Sequence, residues 1–394
     1  MRKKAFSPLG LIFMFLTQAL LVAAVSAAPP KPQAEWTFMI YVCGDNDCEF
    51  VWNQGGQGIT PHLQLLESVG STNLVHFVAL VDLLSAGTTE LIHIEQGTYT
   101  VVETYPDLDF GDPQVVINFV NTVKQLYPAN KYLLDFWDHG WGWYKFCWED
   151  QTGSYLDARE LAQIMDAVGF IDIVGFDACN MAQADVYYSL VGHATCAVGS
   201  EEYEEWEGWP YDTDARDLVN NPYQDARTYA AELVVNWGEF YAPWKGPASQ
   251  TCSAIDIAQM PALTTAFTDW TSKMLANLNQ YKTKYSSALR DAEKMVATYY
   301  FVDMYDYMME LLQENIPATL VQATENVKTA VDNAVVANFA EKAQNDCYGL
   351  TFYWAKAAYW TGSWSGEWRT RYVQEVAWGT VTGWVGFLDA YHGV

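Results

Sequence analysis

Lys131-Tyr-Leu-Leu-Asp-Phe-Trp-Asp-His-Gly140 and Ile171-Asp-Ile-Val-Gly-Phe-Asp-Ala-Cys179 decide the reading of this 394-residue chain. Each is an extended, mostly apolar run bounded by turn formers, the pattern of a core strand in an open sheet. One run stops at His-Gly and the other at Ala-Cys, with His139 and Cys179 40 positions apart. The segment Leu156 to Val168 between them has helical periodicity, so the unit reads as β-α-β with parallel strands. In such sheets the carboxyl ends of the strands form the ligand crevice. A histidine and a cysteine delivered to that edge are the base and nucleophile that a thiol hydrolase needs.

The pattern extends on both sides. Glu35 to Val42 is a β-rich first strand, closed by the carboxylate-rich turn Cys43-Gly-Asp-Asn-Asp47. A helix is predicted over Ile59 to Val69, a buried strand over Asn73 to Leu83, and a hairpin from Thr89 to Glu95 and Thr98 to Glu103. Asp112 and Pro113 open a helix to Tyr127 as N-cap and first residue. Met181 to Val191 reads as helix, Ala194 to Gly199 as a short strand, Asn221 to Phe240 as helix, and Ser249 to Ile257 as extended. From Pro261 the chain reads as largely helical to about Ala343, with a late strand, Tyr348 to Trp354, before a Trp- and Tyr-rich tail. The fold class is therefore α/β, an open, mostly parallel sheet flanked by helices, with a mainly helical C-terminal part. The domain reading is a signal peptide over 1–28, a linker over 29–34, a catalytic α/β domain over 35–260, and a helical region over 261–394 packed on that same domain.

Arg2, Lys3 and Lys4 followed by the apolar run Leu9 to Val25 form an export signal, with small residues that place cleavage after Ala27 or Ala28. Pro29-Pro30-Lys31-Pro32 follows, and no later stretch is long and apolar enough to span a membrane. The expected location is secreted or periplasmic. At 51% hydrophobic and 18% charged, the chain is globular rather than disordered. Forty-eight acidic against 21 basic residues, a formal charge of −27, exclude nucleic acid as a partner and suit solubility outside the cell. The seven cysteines are odd in number; an exported compartment permits disulfides, and their pairing is not legible.

A single His or Cys at a strand end is more often structural than catalytic. Here the repeated grammar raises the pair above that expectation. Gly140 allows close approach of backbone, and its N–H is a candidate oxyanion donor. The N–H of Cys179 is the second candidate, and a helix opening there would favour thiolate.

These phrases also carry a resemblance. Trp36 to Asn46, Trp137-Asp-His-Gly140, Gly175-Phe-Asp-Ala-Cys-Asn-Met181, Gly199-Ser-Glu-Glu202, Gly208-Trp-Pro-Tyr211, Ser253-Ala-Ile-Asp256 and Val302-Asp-Met-Tyr305 resemble, in order, the clostripain family of cysteine peptidases. The resemblance implies a caspase-like fold and cleavage after Arg or Lys. It makes Cys179 the nucleophile that forms an acyl-enzyme and His139 the general acid/base, with no required third member; Asp138 should alternate away from His139. It places Asp177 in the pocket for the basic side chain, against the alternative of a strand-end helix cap. A second pocket acid is expected among Glu201, Glu202 and Glu207. Self-cleavage in the family points to Lys145, in an exposed loop, over Arg159. The resemblance requires no cofactor and leaves room for calcium, for which Asp45 and Asp47 offer oxygens although no EF-hand spacing is present. Peptide or protein substrates with basic residues are the implied partners, with no membrane after signal removal. Two departures stand out: Trp141 follows His-Gly where glycines are usual and is expected to narrow the cleft, and Asp135 sits inside the first catalytic strand, a costly place unless paired. The rivals are a silent peptide- or carbohydrate-binding protein using the abundant Trp and Tyr, and a thiol transpeptidase using the same dyad.

Overall fold

The computed structural model describes residues 33–56, 58–243, 250–295, 301–341 and 346–394, so the expected signal peptide and most of the linker lie outside the described residues. The strands are β1 (Ala34–Gly44), β2 (Val75–Leu83), β3 (Thr88–Glu95), β4 (Thr98–Pro106), β5 (Ala129–Trp137), β6 (Ile171–Asp177), β7 (Ala194–Gly199), β8 (Thr251–Asp256), β9 (Lys294–Met295), β10 (Phe301–Asp303), β11 (Val335–Ala340) and β12 (Thr351–Tyr353). Nine of them form one sheet in the order β11-β8-β7-β6-β5-β1-β2-β3-β4. The five central strands, β7-β6-β5-β1-β2, are parallel, and both flanks are antiparallel.

The central strands are apolar throughout because both faces are covered. Leu134, Phe136, Val174 and Phe176 enter one hydrophobic cluster, while Leu133, Trp137 and Ile173 enter the other. Phe136 stacks on Phe176 at 5.5 Å, and Phe146 meets Phe136 edge-on at 5.3 Å. Each such pair contributes about 0.5–1.5 kcal/mol beyond area burial. This packing fixes β5 against β6 beneath the site. The period-2 alternation also puts Asp135 and Asp177 on one face, in register with Gly175 and Trp137.

Several boundaries differ from the sequence reading. The first predicted helix starts at His62, and a short helix, Glu49–Asn53, precedes it. Helix over Met181 to Val191 shrinks to Ala184–Tyr187 and a single 3-10 turn, because Asn180 takes a left-handed φ of 62° straight after Cys179. The predicted run to Ala343 stops at Ala334, and β11 pairs antiparallel with β8. The late strand lies outside the main sheet: β12 pairs with β10 in a separate three-stranded sheet. Residues on both sides of position 260, from Met39 to Leu388, share one hydrophobic cluster. None of the seven cysteines forms a disulfide. No helix among the described residues is long and apolar enough to cross a membrane.

Candidate active site

β5 and β6 are parallel neighbours that end level with each other, so Asp138-His139 and Ala178-Cys179 leave the sheet at the same edge. The Asp138 N–H donates to the Asp177 carbonyl at 3.3 Å and ties the two exits together. A cavity of about 250 Å³ opens between them. His139 and Cys179 line it with Asp177, Glu204, His62 and Trp206.

Gly140 is held against the cysteine: a Cβ there would lie 2.3 Å from the Cys179 carbonyl oxygen and 3.0 Å from its nitrogen. Its backbone faces Phe146 through the Trp141 N–H to Lys145 carbonyl bond (2.8 Å) and the Cys147 N–H to His139 carbonyl bond (3.2 Å). These bonds leave the N–H groups of Gly140 and Cys179 themselves without a carbonyl acceptor among the described residues.

His139 Nε2 lies 2.6 Å from Asp47 Oδ1, and its ring stacks on Trp148 at 4.6 Å and 10°. The Lys145 ammonium sits 3.8 Å above the other partner in this stack, the Trp148 ring. Asp138 turns away, as alternation requires. Its carboxylate accepts Asn46 Nδ2–H and the Trp148 N–H, both at 2.8 Å, and burial pushes its pKa up to about 7.

The Cys179 sulfur accepts the Glu204 N–H at 3.2 Å. Burial, with the nearby Glu204 carboxyl, pushes the thiol up to about 12. The sequence expectation of a thiolate favoured by a helix start is corrected: the next helix begins only at Ala184 and has four residues.

Asp177 lies at the foot of the cavity with 4% of its side chain exposed. Tyr211 Oη is 2.9 Å from Asp177 Oδ2 and 2.6 Å from Asp135 Oδ2, while the Asp177 N–H donates to Asp135 Oδ1 at 3.1 Å. Asp135 is thus paired, as its burial demands, and burial plus the adjacent Asp177 raises it to about 8. His62 is neutral. The Trp137 indole, a donor only, gives its N–H to Nδ1 at 2.7 Å, so Nε2 carries the proton and donates to the Glu207 carbonyl at 2.8 Å. Its 3.8 Å approach to Asp177 is therefore a polar contact rather than an ion pair, in keeping with a pKa lowered by burial. Gly208, at φ 52°, presses its backbone on this pair; a Cβ would sit 2.7 Å from the His62 ring and 2.8 Å from Asp177 Oδ1.

The three glutamates expected as the second acid do not line the cavity. Glu201 is buried elsewhere and accepts the Gly349 N–H at 2.8 Å, joining the loop to the C-terminal part. Glu202 accepts the Tyr203 N–H, and Glu207 contributes its carbonyl to His62. The acid that faces Asp177 is Glu204, whose carboxyl oxygens are out of solvent and receive no N–H or O–H donor. Burial and Asp177 push it well above the usual range. Its position in Glu201-Glu-Tyr-Glu-Glu-Trp206 has no periodic signal that separates it from its neighbours. The cleft expectation for Trp141 is corrected as well. Trp141 is absent from the lining and stands near Tyr144 and Lys145, whereas the exposed Trp206 overhangs His139 at 6.0 Å. Lys145 is half-buried, not in an exposed loop, because its chain covers Trp148 and its carbonyl is bonded.

Asp45 and Asp47 do not converge. Asp47 is exposed and engages His139, whereas Asp45 is buried with Asp82 and Glu149, their oxygens within 4.8 Å of one another. Asp45 Oδ1 and Asp82 Oδ2 receive no hydrogen bond, and burial lifts Asp82 and Glu149 to about 7. An all-oxygen set with orphaned acceptors fits a calcium ion.

The chain matches the clostripain family, C11 peptidases, over residues 41–386. Clostripain of Hathewaya histolytica is 30% identical over 97 residues, 21% of this chain; that match spans only 18% of the length of the relative. A secreted C11 cysteine protease from Bacteroides thetaiotaomicron, solved with an irreversible peptide inhibitor, superposes with a TM-score of 0.68 at 19% identity, over 89% of this chain and 99% of that one. An inactive zymogen C11 protease from Parabacteroides distasonis gives 0.68 at 18% identity, over 89% and 99%. The structural likenesses show a shared fold, and the match across the body of the chain shows more: this protein belongs to the clostripain family.

Proposed function

We propose that the chain is an exported cysteine endopeptidase that hydrolyses peptide bonds after Arg or Lys. The observation that carries this reading is one cavity whose lining brings together the Cys179 thiol, the His139 imidazole and the carboxyl groups of Asp177 and Glu204. The basic side chain enters toward Asp177, and its charge and N–H donors meet that carboxylate and Glu204, whose oxygens otherwise lack a donor. The scissile carbonyl then sits over Cys179, with the Gly140 and Cys179 N–H groups available to the developing oxyanion. His139 takes the Cys179 proton as sulfur attacks, delivers it to the departing amine as the C–N bond breaks, and afterwards removes a proton from the water that releases the acyl group. Asp47 and Trp148 position the imidazole.

Export follows from the N-terminal pattern, and residues 35–394 act as one unit through the cluster that crosses position 260. Self-cleavage after Lys145 requires the pairing of Gly140 with Phe146 to open. Calcium is not a participant in the chemistry. Asp45, Asp82 and Glu149 would hold it, and it would neutralise charge beneath the loop bearing Asn46 and Asp47.

The test uses mature protein with Arg-, Lys- and Asp-ending fluorogenic peptides, beside Cys179→Ala. Turnover of the Arg and Lys peptides is expected, with a loss of at least about 10³-fold in Cys179→Ala. No turnover, with calcium and after trimming at Lys145, rules out the peptidase; activity surviving in Cys179→Ala rules out the nucleophile.

A further inference from the structure

The acids of the pocket have a proton count that geometry alone constrains. Tyr211 owns one hydroxyl proton, yet its oxygen is within hydrogen-bond distance of both Asp135 Oδ2 and Asp177 Oδ2. It can donate to one; the other contact is a hydrogen bond only if that carboxyl is protonated and donates to the phenol oxygen. Glu204 adds a second requirement. Both of its oxygens are out of solvent with no donor, beside Asp177, and an ionised carboxylate so placed is strongly disfavoured. Among the described residues the cavity lining supplies no Lys or Arg. His62 is held neutral by the Trp137 indole. The helices packed behind, Tyr211–Asn220 and Ala226–Tyr241, turn Asp214, Tyr229 and Tyr241 to the buried side, while their two cations are engaged at half-exposed positions, Arg216 by Asp212 and Arg227 by Asp256. The thiols of Cys179 and of Cys252, from β8, bring no positive charge, and Glu205 in the loop is a further acid.

We propose that Asp135, Tyr211, Asp177 and Glu204 form a proton-coupled recognition set that holds two carboxyl protons when empty and releases one, from Glu204 to water, when a cationic side chain enters. The inference rests on the basic-residue reading above. Asp135 keeps its proton through Tyr211 and holds Asp177 as the anion; Asp135 is a positioning residue, behind Asp177 rather than in the lining. The incoming ammonium or guanidinium provides the donors that Glu204 lacks, so its O–H ionises. Since binding expels a proton, affinity for basic side chains rises with pH while Glu204 would otherwise stay protonated.

Benzamidine, a guanidinium-like cation, is titrated calorimetrically into the mature protein near pH 6.5 in buffers of different ionisation enthalpy. About one proton released per ligand is expected, and about none in Glu204→Gln. Asp135→Asn keeps an acceptor for the Asp177 N–H and a donor for Tyr211, and should release the same number as the parent. The kcat/KM ratio for Arg over its neutral isostere citrulline should rise by up to about tenfold per pH unit in the parent and stay level in Glu204→Gln. Thermal midpoints verify that the variants are folded. Buffer-independent heats in a parent that cleaves after Arg overturn the coupling alone, as does release retained in Glu204→Gln or lost in Asp135→Asn. Failure of both benzamidine binding and cleavage after Arg or Lys overturns the underlying specificity.

Discussion

Two groups of three buried acids lie at the carboxyl edge of the sheet, and they solve the same electrostatic problem differently. Asp177 and Glu204 line a cavity, and Asp135, behind them, is bridged to Asp177 by Tyr211. Asp45, Asp82 and Glu149 are closed over, with Thr89 on Asp82 and Thr152 on Glu149 and two oxygens left without donors. No Lys or Arg is among the groups that act on Asp82, Glu149, Asp135 or Glu204 among the described residues. The first group is open to a cation carried by a substrate, whereas the second has room only for protons or a small ion. Burial of like charge is costly in both, so position relative to the cavity decides whether that cost serves recognition or stability.

The largest effect that would break this comparison is on specificity. Asp177→Asn should lower kcat/KM for Arg and Lys substrates by about 10²–10³-fold, as loss of a buried charge-assisted contact does, while Asp82→Asn should leave the Arg-over-citrulline ratio unchanged. Equal losses in steady-state assays of the two variants would erase the distinction. Next in size is the response to metal. Calcium at a hundredfold excess over its Kd should stabilise the parent by about 2.7 kcal/mol, read as a rise in thermal midpoint, and do nothing in Asp82→Asn/Glu149→Gln. Proton linkage gives a third test, in chelator. Because Asp82 and Glu149 have folded pKa values raised to about 7 above the ordinary 3.8 and 4.5, the folded state binds more protons between those values. Their contribution to stability is therefore fully present at low pH and is lost as pH rises toward 7; Asp82→Asn should flatten the midpoint–pH curve. The smallest effect belongs to the base. Trp148→Leu removes the ring under His139 and should reduce kcat by about tenfold with KM nearly unchanged, measured on an Arg peptide.

The central sheet was legible because buried parallel strands leave uninterrupted apolar runs, and His139 and Cys179 emerge level because β5 and β6 do. Elements governed by tertiary contact were not. Val335–Ala340 follows a helix with no Gly or Pro at the junction, and only pairing with β8 makes it a strand. The break after Cys179 depends on a left-handed Asn180, a conformation that asparagine tolerates but does not require. Glu204 is indistinguishable from its adjacent glutamates in the sequence for a related reason. In a loop without periodicity, orientation is set by anchors such as the Asn180 bonds to the Glu201 and Glu202 carbonyls.

Glu204 has a consequence for anyone redesigning this enzyme. Its side chain faces Asp177 while its backbone N–H reaches the Cys179 sulfur at 3.2 Å. A loop graft meant to change which residue is accepted would also move a donor on the Cys179 sulfur. Selectivity and thiol reactivity are therefore inherited together, and substitution of the side chain alone, with the backbone left in place, is the route by which they can be separated.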